Sequence, residues 1–352
     1  MSGIIGHTMY AILAGKAAHQ RALPIAGLLH RHYASYLCGA YLGCDIQTMP
    51  EAICVDTGQE VGYGTAPLET SPLTGGAVRP WTLEADGQRY RPKDIHRLFY
   101  GRSHLVFGWS GTENAHVVPW DHLADYCAAV VDDAVTLFGP GERKIAYLLG
   151  WMAHIVGDSL IKSIRPGITL ELLDGKYTPR NRPIQDLVTF HEIGHKEFGL
   201  EWAALLADLA ETPVEPVQFH YMRIATPRGE LSQQFPNAWV PHLAPLLRVV
   251  LHENRRYQAI RNARLLDQYA LVKTPQGVAC NEDLSRKTGG LTYSEMVGVA
   301  DRAGFRHALW QMGEAIVKLF EEVVERAPRL QELKDLNSPS WSEITAKWKR
   351  VE

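Results

Sequence analysis

Apolar residues recur at helical spacing through most of the chain. Residues 7–43 read as two helices broken at Pro24. The first turns Ile12, Leu13 and Ala17 inward, and the second Leu28, Leu29, Tyr36, Leu37 and Tyr41. From 46 to 115 the period disappears. Pro50, Pro67, Pro72, Pro80 and many glycines predict an irregular excursion with short strands, and so long a stretch without a helix is often functional. Helices resume over 119–138, up to the break Gly139-Pro140-Gly141, and over 142–164, which stops near Pro166-Gly167. A loop rich in Pro and Arg covers 174–183. Residues 184–209 form the next helix, ending before Pro213 and Pro216. Residues 217–238 fit no period. A long amphipathic helix over 241–271 carries Glu253, Arg255, Arg256, Arg261 and Arg264 on a charged face, and 293–303 and 305–326 complete the helices. No internal repeat is present. The expected class is mainly α, with a metal-binding helical core over 1–210 and an additional helical lobe over 211–352 packed on it.

Composition narrows the classes. The chain has 352 residues, 46% of them hydrophobic, enough for a sizeable core, and a net charge of −3 with no Lys/Arg run. Stable nucleic-acid binding leaves a basic footprint and is not expected. No apolar run reaches the length of a membrane span. The start, Met1-Ser2-Gly3-Ile4-Ile5-Gly6-His7, lacks a basic n-region and a cleavage site, so no secretory signal is expected. The five cysteines include no Cys-x-x-Cys pair, which argues against a disulfide framework or a thiolate zinc site and points to a cytoplasmic location.

The placement of the 15 histidines changes the picture. His154 and Asp158 lie four apart on a helix and therefore share a face, where an imidazole and a carboxylate bind one zinc and the carboxylate bridges to a second. The plain alternative is a buried His–Asp pair. Phe190-His191-Glu192-Ile193-Gly194-His195 puts His191 and His195 on one face and also spells the H-E-x-x-H of zinc peptidases, with Glu192 as general base. The extended form of that signature is absent, because Phe198 and Trp202 stand where its Gly and third His would be. His7 stands at the entry of the first helix, Asp45 at the end of the second, and His104 in the irregular region beside Ser103, with His96 as a rival. Taken singly, these last read as cap, turn and surface residues.

The order His7, Asp45, Ser103-His104, His154/Asp158, Phe190-His191 resembles the zinc-dependent phospholipase C family, whose helical fold is shared with the P1-type nucleases. The helix Tyr147-Leu148-Leu149-Gly150…His154…Asp158 carries the specific part, and the resemblance covers residues 1 to about 200. It implies a multi-helix bundle with a loop-rich insertion, extended here by extra C-terminal helices. It implies two or three zinc ions held by His7, Asp45, His104, His154, Asp158, His191 and His195. Asp158 would bridge two ions, and Asp45 would be either a ligand or the catalytic base. The implied activity is hydrolysis of phosphate esters, phospholipid or another phosphodiester, by metal-activated water. Arg97 and Arg102 are candidate phosphate contacts, and Trp109, Trp120 and Trp151 candidates for an apolar rim. The chain departs from the family at three points. It starts Met1-Ser2 rather than with an amino-terminal Trp ligand, it has Ile164 six residues after Asp158 where the family has His, and it has His195 where the family has Glu.

Two rival readings stand beside this one. A zinc metallopeptidase built on His191, Glu192 and His195 leaves His154 and Asp158 unexplained. A non-catalytic helical relative predicts no stoichiometric metal. The string Gly157-Asp158-Ser159-Leu160 matches a lipase motif but sits inside a helix, where that motif has no function.

Overall fold

The computed structural model describes residues 3–42, 49–62, 68–71, 74–85, 87–95, 122–161, 172–173, 178–215, 217–218, 243–275 and 277–334. The elements run in the order α1 Ile4–Gln20, α2 Pro24–Arg31, α3 Tyr33–Leu42, then the strands β1 Ala52–Cys54, β2 Glu60–Val61, β3 Val78–Pro80, β4 Leu83–Ala85 and β5 Gln88–Tyr90. They continue with α4 Leu123–Phe138, α5 Glu142–Ile161, α6 Arg182–Leu187, a π-helix Val188–Glu197 and α7 Trp202–Glu211. The last elements are α8 Leu243–Tyr269, β6 Val272–Thr274, β7 Gly277–Ala279, α9 Glu282–Lys287, α10 Tyr293–Arg302, α11 Phe305–Arg326 and a 3-10 turn Pro328–Glu332. The protein is mainly α. Among the described residues, no helix is long and apolar enough to cross a membrane.

Residues 49–90 hold the short strands expected there. β1 is central, paired antiparallel with β2 (Ala52↔Val61) and with β3 (Ala52↔Pro80). Ala52, Cys54 and Val61 form a small satellite core beneath this sheet. Apart from Tyr257, the other buried apolar residues among those described join one cluster that runs from Ile4 to Ala327, so helices on both sides of residue 210 share a core. α1 is buried on nearly every side from Ile4 to Ala14, as a helix apolar all round must be. It packs against α3, α5 and α11.

The position of α5 is fixed at both ends of its first half. A Cβ on Gly150 would overlap the Tyr36 carbonyl oxygen and lie 3.0 Å from Ala40 N. A Cβ on Gly39 would overlap the Tyr147 carbonyl and lie 3.1 Å from Trp151 N. The two glycines face each other's backbone and let α3 and α5 approach more closely than side chains allow. At the start of α5, three consecutive charged residues each hold a different element. Glu142 takes Arg31 Nη2 and His32 Nε2, both at 2.8 Å. Arg143 Nε donates to the buried Glu215 at 2.5 Å. Lys144 Nζ, itself buried, donates to the Phe138 and Gly139 carbonyls that end α4, at 2.5 and 3.3 Å.

Four expectations need correction. The first helical region holds three helices, because the chain breaks again at His32, between α2 and α3. The helix expected over 184–209 is interrupted. Gly199 takes φ +65° and its N–H returns to the His195 carbonyl at 3.0 Å, with Leu200 N–H on Gly194 O at 2.9 Å. This glycine-terminated stop sits before α7. The charged face of α8 is turned to solvent only in part, at Arg256. Arg255 caps the end of α7 through Leu209 O and Thr212 O, at 3.2 and 2.6 Å, and Arg261 is only 4% exposed. Trp151, offered as rim, is wholly buried in the core.

Candidate metal centre

α1 and α5 cross so that two of the candidate histidines meet. His7 and His154 are both fully buried, and their ring centroids lie 3.9 Å apart at an interplanar angle of 42°. His7 therefore is neither a cap nor a surface residue. It sits in the second turn of a core helix. Tyr10, one turn on, meets His7 edge-on with centroids 5.7 Å apart and planes at 89°. The Tyr10 ring in turn lies against Gly157 of α5, where any Cβ would overlap it. The small residue just before Asp158 thus admits the aromatic ring that flanks the histidine pair. Asp158 follows His154 by one helical turn of α5.

The remaining candidates divide into two groups. Asp45 and His104 lie outside the described residues, as do His96, Arg97, Arg102, Trp109, Trp120 and Ile164, and Asp158 enters through its helical position alone. Among the described residues, no group of three or more His, Cys, Asp or Glu side chains is gathered in a form that would hold a metal ion. His191 and His195 have other engagements. His191 Nε2 donates to the Tyr269 carbonyl at 2.7 Å, and its ring lies edge-on to Tyr293 with centroids 5.7 Å apart. Because a carbonyl accepts only, Nε2 carries the proton, and Nδ1 is the nitrogen left with a lone pair. Burial holds the His191 pKa below its usual value, against the bond to Tyr269. His195 is exposed, with Nδ1 on Leu200 O at 3.3 Å and 4.0 Å from Glu201.

Glu192, the general base of the peptidase reading, is the centre of an ion-pair group. It accepts Lys196 Nζ at 2.7 Å and Tyr293 OH at 2.5 Å, and Arg306 Nη2 stands 3.8 Å away. Burial pushes its carboxyl up, but the bonds from Lys196 and Tyr293 outweigh it and leave the pKa below the usual carboxylate value. Gly194, within the same string, admits the Trp202 indole, which would stand 2.5 Å from a Cβ there. Trp202 stacks on Phe190 at 5.3 Å and donates Nε1–H to its carbonyl at 2.9 Å. Each residue of the H-E-x-x-H string except Ile193, which is buried core, therefore makes a specific local contact that joins the π-helix to α7, to the turn before it, to α8 or to α10.

The π-helical segment runs beside α1 in the same direction. Arg182 and Asp186 lie next to Gly3 at one end. At the other end Lys16 Nζ stands 4.4 Å from the Phe198 ring centroid.

In comparisons with known proteins, no family model matches the chain, and neither a curated protein nor a solved structure matches it.

Proposed function

We propose that this protein is a zinc-dependent hydrolase of phosphate esters, a phosphodiesterase with a helical core of the phospholipase C and P1 nuclease type. The single observation that carries the reading is the contact between His7 and His154. They are two of the residues that the resemblance names, they come from opposite ends of the first half of the chain, and they meet in the core with rings 3.9 Å apart.

The donor chemistry fits zinc. Two neutral imidazoles side by side offer the nitrogen ligands that zinc takes. A carboxylate one helical turn beyond His154 adds an oxygen donor and a negative charge. His7, His154 and Asp158 would hold the ions from α1 and α5, with Asp45 and His104 completing the set. His191 would contribute through Nδ1, since Nε2 serves Tyr269, and His195 through Nε2, since Nδ1 lies on Leu200 O. When bound, the ions supply a Lewis acid for phosphate oxygens and a water ionised near neutral pH. The chain's own part is to fix the ligands on α1 and α5, the latter pinned to α3 at Gly39 and Gly150, and to keep the histidine pair out of solvent.

The test is hydrolysis of bis(p-nitrophenyl) phosphate by the full chain, before and after chelation and after zinc is restored. The reading expects activity that chelation removes and zinc returns. A zinc-loaded protein without phosphodiesterase or phosphomonoesterase activity would reject it.

A further inference from the structure

Beside the first turn of α1 lies a cavity of about 500 Å³, a size that suits a small-molecule ligand. Its described walls come from α1, α6, α8 and α9. α8 presents one continuous face to it, Tyr257, Arg261, Arg264 and Gln268, spaced by four, three and four residues. Arg182 of α6 and Lys287, the last residue of α9, add charge from two other directions.

The balance of charge is lopsided. Four cationic side chains line the described walls, and Asp186 is the one carboxylate among them. That carboxylate already accepts Tyr269 OH at 2.6 Å and Arg182 Nε at 3.3 Å. Arg264 Nη2 donates to the Glu60 backbone carbonyl at 2.6 Å, which orients the guanidinium without neutralising it. The Tyr257 hydroxyl donates to the Gly62 carbonyl. Leu265 and Leu284 supply apolar wall. Guanidinium groups present planar pairs of donors that match the oxygens of a phosphate. Cations outnumber carboxylates four to one among these described lining residues, a setting that suits a group with two or more negative charges better than a single carboxylate.

We propose that this cavity binds a small organic phosphate carrying at least two negative charges. Arg182, Arg261, Arg264 and Lys287 take the phosphate oxygens, and the Leu265 and Leu284 side takes the organic part. None of the described wall residues is a zinc-cluster candidate, so the proposal does not rest on the hydrolase reading.

Inorganic pyrophosphate is the probe, titrated calorimetrically into the full chain after zinc has been removed. Wild type should bind it with an affinity that falls as salt rises. Arg261→Gln, Arg264→Gln and Lys287→Gln should each weaken binding tenfold or more, the cost of one charge-assisted hydrogen bond. Lys287 is exposed, so Lys287→Gln keeps the test open if the buried Arg261 variant fails to fold, as judged by circular dichroism. Failure of the stripped wild type to bind, or equal binding by wild type and folded variants, would overturn the proposal. Binding that needs restored zinc and ignores all three substitutions would place the anion on the metal, overturning the cavity and leaving the hydrolase reading intact.

Discussion

The imidazoles of His7 and His154, one from the first helix and one from the helix that follows the Gly139 break, lie 3.9 Å apart with their planes tilted by 42°. Neither residue alone distinguishes a ligand from a core histidine. Their contact does more, because it brings two nitrogen donors, one from α1 and one from α5, side by side at a fully buried place.

The crossing of α3 with α5, the helix that carries His154, should be intolerant of one added methyl group. Gly150→Ala or Gly39→Ala forces a Cβ into the partner helix's backbone, which cannot retreat without separating α3 from α5. We expect a loss of about 3 kcal/mol or failure to fold. Gly15→Ala is the control. Its Cβ would meet Tyr36 Cε1 at an ordinary 3.5 Å, and helix propensity should raise stability by up to about 1 kcal/mol. Denaturant unfolding of the three variants reads both signs.

Glu192 is expected to matter for stability and not for proteolysis. Glu192→Gln removes the ion pair with Lys196 and weakens the bond from Tyr293, at about 1–2 kcal/mol, while phosphodiesterase activity is retained. Thermal unfolding and a casein-cleavage assay check this together. Cleavage of casein by wild type that the variant abolishes would move the function to the peptidase reading.

The anchor at the start of α5 makes stability depend on acid. The hydrogen bond from Arg31, then that from His32, holds the Glu142 carboxyl below its ordinary value of 4.5. A carboxylate with a depressed folded pKa contributes stability that is fully present above 4.5 and is lost as pH falls through the folded value. Glu142→Gln should therefore be less stable than wild type at pH 7, by about 1 kcal/mol for a pair whose arginine is exposed. The gap should close as pH falls below 4.5. Urea titrations at several pH values measure it.

Long apolar periods were the readable part of this chain. The spacing of Phe305 to Arg326 predicts both ends of that helix as observed, and Glu142 begins its helix as the sequence predicts, because both follow a glycine break and carry unbroken amphipathic spacing. The pairing of His7 with His154 could be expected only from the order of motifs, since nothing local to His7 announces burial. One stop has a local signal that a longer helical period hides. Gly199 was a left-handed stop hidden inside 184–209. The β6–β7 hairpin (Val272↔Ala279) lies just beyond the helix expected to 271, in a stretch with no helical or alternating period long enough to announce it. The cationic cavity was hidden for a different reason. Arg261 and Arg264 read as part of the charged face of a long helix, and only the tertiary packing of α6 and α9 makes that part of the face a cavity wall.

The most direct measurement is zinc content by elemental analysis of the full chain purified without chelator, for wild type, His7→Ala, His154→Ala and the double variant. The account predicts two or three zinc ions per chain, a loss in each single variant, and no larger loss in the double variant, because the two rings serve one centre. Zinc content unchanged by both substitutions, or no zinc in the wild type, would contradict it.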